Sequence, residues 1–329
     1  SSLIFIIKNK SFFSKLNKNY NPIQKIHKNF IPPLGGSIIV LSLYFALLFI
    51  KPSSILFEIN IIFGLLIILT IGLAEDLFGK ASAKLRLISI TFASIYYCLF
   101  LINFPIIEFP LIGELINNNK IIQIIFFTIG LTALTNGSNM IDGVNGLSGF
   151  TLLSICLCLL ILNINYNLSF SDELILIIIG LIAFLFLNFP FGKIFLGDSG
   201  AYSLSWILGV ITIEIFSTNL VNTWLAVVIL YYPLQEVLFS YLRRLILKKN
   251  PMQADIQHTH SIMFFKIKSK FNFKDYMVHL LTTLILSIFW ILPLLYIVFF
   301  KTFEYLQNIC LLLILMIIYI CLFLKFKNK

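Results

Sequence analysis

The sequence predicts an all-α polytopic membrane protein, and three observations carry that expectation. Of the 329 residues, 59% are hydrophobic and only 12% charged, with mean hydropathy +0.99; a water-soluble domain of this length does not carry so much apolar surface. The apolar residues fall in runs that approach or reach the twenty or so needed to cross a bilayer as a helix. The polar residues, by contrast, are gathered into a few short segments between those runs. A chain inside hydrocarbon must close its backbone hydrogen bonds within each span, so the runs are read as helices.

The runs lie near 37–50, 55–74, 85–103, 120–138, 147–163, 173–189, 200–216, 222–242, 276–298 and 304–324, giving about ten full spans in a single integral membrane domain, 1–329. Before them, Leu3 to Ile7 form a short apolar stub behind Ser1-Ser2, read as the end of a truncated first span. A signal peptide would need a basic leader and a longer apolar stretch. Threading these spans leaves only Lys51, Lys120 and Lys301 of the 24 Lys and Arg on one side. The basic side is cytoplasmic by the positive-inside bias. The net charge of +10 therefore reflects topology and attraction to anionic lipid headgroups of the bilayer, and no nucleic-acid partner is expected. Cys98, Cys156, Cys158, Cys310 and Cys321 all sit in apolar runs, where they pack or face lipid; their spacing suits neither a disulfide framework nor a zinc site.

Cytoplasmic loops are expected near 8–36, 75–84, 139–146, 190–199 and 243–275, and they hold the polar chemistry. The first ends in KIHKNFIPPLGG, Lys25 to Gly36, where Lys25 and His27 precede helix-breaking Pro-Pro and Gly-Gly pairs. The second, GLAEDLFGK (Gly72 to Lys80), sets Glu75 and Asp76 side by side at the end of a span. Neighbouring carboxylates repel, which can raise one pKa and make a candidate base; a solvated helix end is the competing reading. The third, NGSNMIDGVNGLSG, runs from Asn136 to Gly149 and places Asn139, Asp142 and Asn145 among four glycines. Such amides and a carboxylate are costly in hydrocarbon unless partnered, and they supply oxygen ligands and backbone N–H groups suited to a metal-phosphate site. The fourth, NFPFGKIFLGDSGAY (Asn188 to Tyr202), carries Lys193, and Asp198 at the start of a span, as a helix cap, a cation ligand or both. The fifth, NPMQADIQHTHSIMF (Asn250 to Phe264), contains Asp255, His258 and His260; with no further nitrogen or sulfur ligand nearby, a phosphate-contacting pair fits better than zinc. Glu236, near the cytoplasmic end of the span 222–242, reads as a partner of Arg243 or Arg244. Sidedness was derived from Lys and Arg alone, so the gathering of every motif on one side is an independent argument for one shared site.

These five ordered motifs resemble the polyprenyl-phosphate N-acetylhexosamine-1-phosphate transferases, the glycosyltransferase family that includes bacterial undecaprenyl-phosphate GlcNAc-1-phosphate transferase and phospho-MurNAc-pentapeptide translocase. The resemblance covers about residues 19–265. It implies transfer of a HexNAc-1-phosphate, GlcNAc-1-phosphate first among them, from a UDP-HexNAc to undecaprenyl or another polyprenyl phosphate, with release of UMP. That is the initiating step of a cell-envelope polysaccharide. It implies Mg²⁺, with Mn²⁺ as a substitute, held by Asp198 and Asn139. Glu75, Asp76, Asp142, His258 and His260 are the implied catalytic residues. Lys25, His27, Asn136, Asn145, Asn188 and Lys193 are the implied substrate-binding set. The implied setting is the bacterial cytoplasmic membrane with the site facing the cytoplasm, and a homodimer is an allowed assembly.

Three departures from the pattern stand out. Glu75 replaces the first member of the usual Asp pair, so Asp76 is the safer acid. Ile256 and Ser261 occupy positions where the histidine loop often carries Arg and a further His. The triple-His run typical of the translocase is absent, which favours a HexNAc-1-phosphate donor over a peptide-bearing one. A transporter is the rival from another class, since ionisable groups inside spans often mark a transport path. Here Glu58 and Glu214 lie near the outer span ends and the remaining polar groups cluster on one side. A catalytically dead scaffold would not need to keep Asp76, Asn139, Asp142 and Asp198 together.

Overall fold

The computed structural model describes residues 31–109, 112–248, 257–300 and 303–327, and among these every regular element is a helix. Lys25, His27, Asp255, Ile256 and the stub before the first span lie outside the described residues. In chain order the helices are α1 (Gly35–Ile50), α2 (Ile59–Phe78), α3 (Ala83–Phe100), α4 (Ile112–Asn117), α5 (Lys120–Met140), α6 (Leu147–Asn165) and α7 (Ser171–Asn188). They continue with α8 (Gly197–Ser217), α9 (Trp224–Ile229), α10 (Tyr231–Ile246), α11 (Thr259–Phe271), α12 (Asp275–Leu286), α13 (Ile288–Phe299) and α14 (Tyr305–Lys327).

Seven of these are long and apolar enough to cross a membrane: α2, α3, α5, α6, α7, α8 and α14. The α12–α13 pair, bent by 42° at Ser287, makes an eighth when taken as one span. The protein is thus a multi-pass membrane protein, but two of the ten expected spans take a different form. The run near 37–50 is a 16-residue helix, shorter than a full crossing. The run at 222–242 breaks at Leu230 into α9 and α10. Pro233 accounts for a helix start here: it lacks the N–H that would bond back across the break, and the first turn of a helix tolerates that loss.

The core is organised around α8, which packs on α1, α2, α5 and α6. Its apolar stretch is 94% buried inside the protein, whereas that of α14 is 17% buried, so α8 is the central post and α14 a peripheral one. Small residues make this possible, because helices associating in lipid gain chiefly from close backbone packing. The α1 and α8 backbones touch at Gly36 and Gly200, where a Cβ on Gly36 would stand 2.2 Å from the Gly200 Cα. The larger side chains of α8 fill the remaining space: Trp206 is fully buried and donates from Nε1 to Ser94 Oγ at 3.2 Å. Thr212 satisfies its hydroxyl on the Leu208 carbonyl, one turn back, at 2.7 Å. Cys98, Cys156 and Cys158 are buried and Cys310 and Cys321 exposed, all as free thiols.

Candidate active site

The polar cluster forms where the C-terminal ends of α2 and α5 meet the N-terminal ends of α3 and α8. Gly197 opens α8 with φ +80, a left-handed conformation. It also has no room for a side chain, since a Cβ there would lie 1.9 Å from the Pro33 carbonyl oxygen and 2.7 Å from Asp76 Oδ2. This bare start lets Asp76, near the end of α2, reach the exposed N–H groups of α8. Asp76 Oδ1 accepts from the Asp198 N–H at 2.9 Å, and Oδ2 accepts from the Ser199 N–H at 2.9 Å and the Ser199 hydroxyl at 2.6 Å. A buried carboxylate is therefore held by a helix N-terminus, where the helix dipole favours negative charge. Asp76 caps α8 from another helix, and Asp198 does not serve as its cap.

Freed from that task, the Asp198 carboxylate turns outward. Its Oδ1 accepts from Asn139 Nδ2 at 2.8 Å, and its Oδ2 pairs with the Arg86 guanidinium. Arg86 was absent from the sequence expectations. The signal that could have found it is a lone guanidinium one turn into the apolar run of α3, a placement that costs energy unless the charge is used. Asp142 sits in the turn between α5 and α6. Loss of solvent around its carboxyl and the charge of Asp198 push its pKa up to about 7, partly offset by a hydrogen bond with the Gly197 backbone. Glu75 is less buried and accepts from the Ala81 N–H at 3.0 Å, bracing the turn after α2. The turn itself is closed by Gly79, whose N–H donates to the Glu75 carbonyl at 2.8 Å.

Two expected substrate-binding amides act here as struts. Asn188 Oδ1 accepts from the Gly146 N–H at 2.6 Å while its Nδ2 donates to the Ile194 carbonyl at 2.8 Å, tying the α5–α6 turn to the 189–196 loop. Asn145 donates from Nδ2 to the Pro190 carbonyl at 2.8 Å and from its backbone N–H to His279 Nδ1 at 3.2 Å. Asn136 bonds one turn back, to the Thr132 carbonyl at 3.2 Å. Lys193 is exposed on the 189–196 loop.

The histidines join from the other flank. The rings of His258 and His260 stack in parallel, with centroids 5.6 Å apart. A Cβ on Gly143 would come within 2.7 Å of His260 Nε2, so the pair lies against the turn that carries Asp142. Burial pushes the His260 pKa down to about 4, so its ring is neutral at pH 7. The expected Glu236–arginine pairing is replaced: Glu236 holds His258 at 3.1 Å.

Among the described residues no three His, Cys, Asp or Glu side chains are grouped to cage a metal ion. The donors nonetheless fit Mg²⁺, which takes oxygen ligands, keeps several waters and is commonly held by one or two carboxylates together with substrate phosphates. Asp198 offers a carboxylate that is not used for capping, beside the Asn139 amide, with the Asp142 carboxyl close enough to feel its charge. An apolar cavity of about 390 Å³ lies elsewhere: Phe127, Leu131, Gly209, Phe216 and Trp224 line it, with no ionisable group.

Residues 59–216, which hold Asp76, Arg86, Asn139, Asp142 and Asp198, match the model of glycosyl transferase family 4. Over that stretch the chain is similar to glycosyl transferase family 4. It is 29% identical over 245 residues to the undecaprenyl-phosphate alpha-N-acetylglucosaminyl 1-phosphate transferase of Thermotoga maritima, covering 74% of this chain and 72% of that protein. It is 27% identical over 278 residues to the phospho-N-acetylmuramoyl-pentapeptide-transferase of Dictyoglomus thermophilum, covering 83% of this chain and 88% of that one. Glu236, His258 and His260 lie beyond the stretch that the family model matches.

Proposed function

We propose that the chain transfers a HexNAc-1-phosphate, GlcNAc-1-phosphate in the first place, from a UDP-sugar to a polyprenyl phosphate, releasing UMP. The observation that carries this reading is the Asp198 carboxylate, held by Asn139 and Arg86 and turned away from the helix it begins, in a family whose relatives bear that activity in their names. An oxygen of the lipid phosphate attacks the sugar-bearing phosphorus, the bond to the UMP oxygen breaks, and the new diphosphate joins lipid and sugar. Asp198 and Asn139 would hold Mg²⁺, or Mn²⁺ in its place; when bound, the ion neutralises diphosphate charge and stabilises the leaving phosphate.

The chain's own residues position the reactants. Arg86 balances Asp198 until a phosphate arrives and then supplies a guanidinium to it. Asp76 fixes the start of α8, and with it the direction of Asp198. A phosphate monoester is already largely ionised at neutral pH, so positioning and electrostatics count for more than proton removal. The same reading places the site at the cytoplasmic face of a bacterial inner membrane, supported by the one-sided distribution of Lys and Arg.

The test is to supply purified protein with radiolabelled UDP-sugars, undecaprenyl phosphate and Mg²⁺. Labelled lipid and UMP should form together, GlcNAc should outcompete the peptide-bearing MurNAc donor, and Asp198→Asn should abolish both products. Wild-type turnover by Asp198→Asn would remove the metal assignment. Cross-linking in membranes tests the homodimer.

A further inference from the structure

Glu236 of α10 is wholly buried, yet three donors converge on it. Its Oε1 lies 3.1 Å from His258 Nδ1 and 3.3 Å from the Thr259 backbone N, and its Oε2 accepts from the Tyr319 hydroxyl at 2.8 Å. Tyr319, on α14, in turn accepts from the Thr259 hydroxyl at 2.7 Å. A carboxylate served by donors at both oxygens acts only as acceptor, so the short contact to His258 requires a proton on Nδ1. The Ser240 hydroxyl, 3.4 Å from the same nitrogen, is the weaker partner. With Nδ1 committed, the chemistry of the ring is carried by Nε2 alone.

The packing explains how a buried acid reaches this position. A Cβ on Gly137 of α5 would lie 2.1 Å from the Pro233 carbonyl oxygen, so α10 is pressed onto α5 there. Glu236 sits one turn further along α10. His258 directly precedes α11 in extended conformation, and its ring stacks on His260, which abuts Gly143 beside Asp142. The network thus links α14, the most peripheral span, to the rim of the carboxylate cluster.

We propose that Glu236, braced by Tyr319 and Thr259, is a positioning residue that locks His258 as the Nδ1–H tautomer and so leaves its unprotonated Nε2 to accept a hydrogen bond from a sugar hydroxyl of the bound donor. This rests on the transferase reading above. A buried acid that merely glued α14 in place would need no histidine, and its loss would act through stability alone.

Ring ¹⁵N spectra of histidine-labelled full-length protein at pH 8, with His258→Gln for assignment, read the tautomer without any substrate. Turnover of UDP-GlcNAc with undecaprenyl phosphate reads the consequence. Wild type should show His258 protonated at Nδ1. Glu236→Gln should move protonation towards Nε2 and lower kcat about 100-fold, with KM for the donor within about threefold. Glu236→Asp should restore kcat to within about tenfold of wild type, and Tyr319→Phe should fall between. The proposal is overturned by a wild-type His258 protonated at Nε2, by Glu236→Gln with unchanged kcat, or by Gln and Asp variants losing kcat equally in step with their melting temperatures. Absence of turnover in wild type would instead count against the transferase reading, while the spectra still decide the tautomer.

Discussion

Replacing Asp76 with alanine tests the idea that one buried carboxylate organises the site by capping α8. Three contacts vanish together: the N–H groups of Asp198 and Ser199 at 2.9 Å each, and the Ser199 hydroxyl at 2.6 Å. Hydrogen bonds to a charged group contribute about 1.5–3 kcal/mol each, and stranded buried donors add a desolvation penalty. Two terms oppose this: the carboxylate no longer has to be desolvated, and its repulsion with Asp198 disappears. The net loss should be about 3–5 kcal/mol, once the relieved desolvation and repulsion are set against three lost hydrogen bonds and the stranded donors. In detergent that corresponds to a melting temperature lower by about 5–10 °C, scaled conservatively for a chain of this size. Ser199→Ala, which removes only the hydroxyl contact, should cost about 1 kcal/mol. Turnover should fall with Asp76→Ala more than its stability explains, because the direction of Asp198 depends on the start of α8. A melting temperature within a degree of wild type would refute the capping argument.

Other consequences can be checked separately. Arg86→Ala removes the guanidinium paired with Asp198 and should lower kcat/KM by about two to three orders of magnitude, measured by UMP release, with Arg86→Lys recovering part of the loss. Gly36→Val drives a branched side chain into the α8 backbone, where even a Cβ would be 2.2 Å from Gly200, and should yield little monodisperse protein by size-exclusion chromatography. His260 sets an acid limit on stability. Its folded pKa of about 4 lies below the ordinary 6.5, so the unfolded chain takes up the proton first and stability present above pH 6.5 is lost as pH falls towards 4. Between pH 7 and pH 5 this single group should account for about 2 kcal/mol, and melting curves of His260→Asn should be correspondingly flatter over that interval.

Much of the architecture was readable from composition and periodicity, because a bilayer leaves the backbone few options. That constraint made the helical class, most of the spans and the segregation of polar segments visible. It could not reveal that the run at 222–242 breaks at Leu230, since apolar composition is indifferent to a helix interruption and Pro233 is compatible with either a kink or a fresh start. In the site, the motif residues were recognisable because amides and carboxylates are costly between apolar runs. Their individual tasks were not, because a side chain's task depends on which partner faces it.

The sequence by itself determined that this is a helical membrane protein with a polar site on one face, through the cost of placing charge in hydrocarbon. Only the tertiary structure decided how that polarity is divided. Asp76 is turned to a helix end and Asp198 to Asn139 and Arg86, Asn145 and Asn188 brace loops, and Glu236 meets a histidine rather than the arginines next to it in sequence. Those pairings join residues as far as 123 positions apart. They arise where close-packed helices converge, a geometry that local spacing along a chain does not encode.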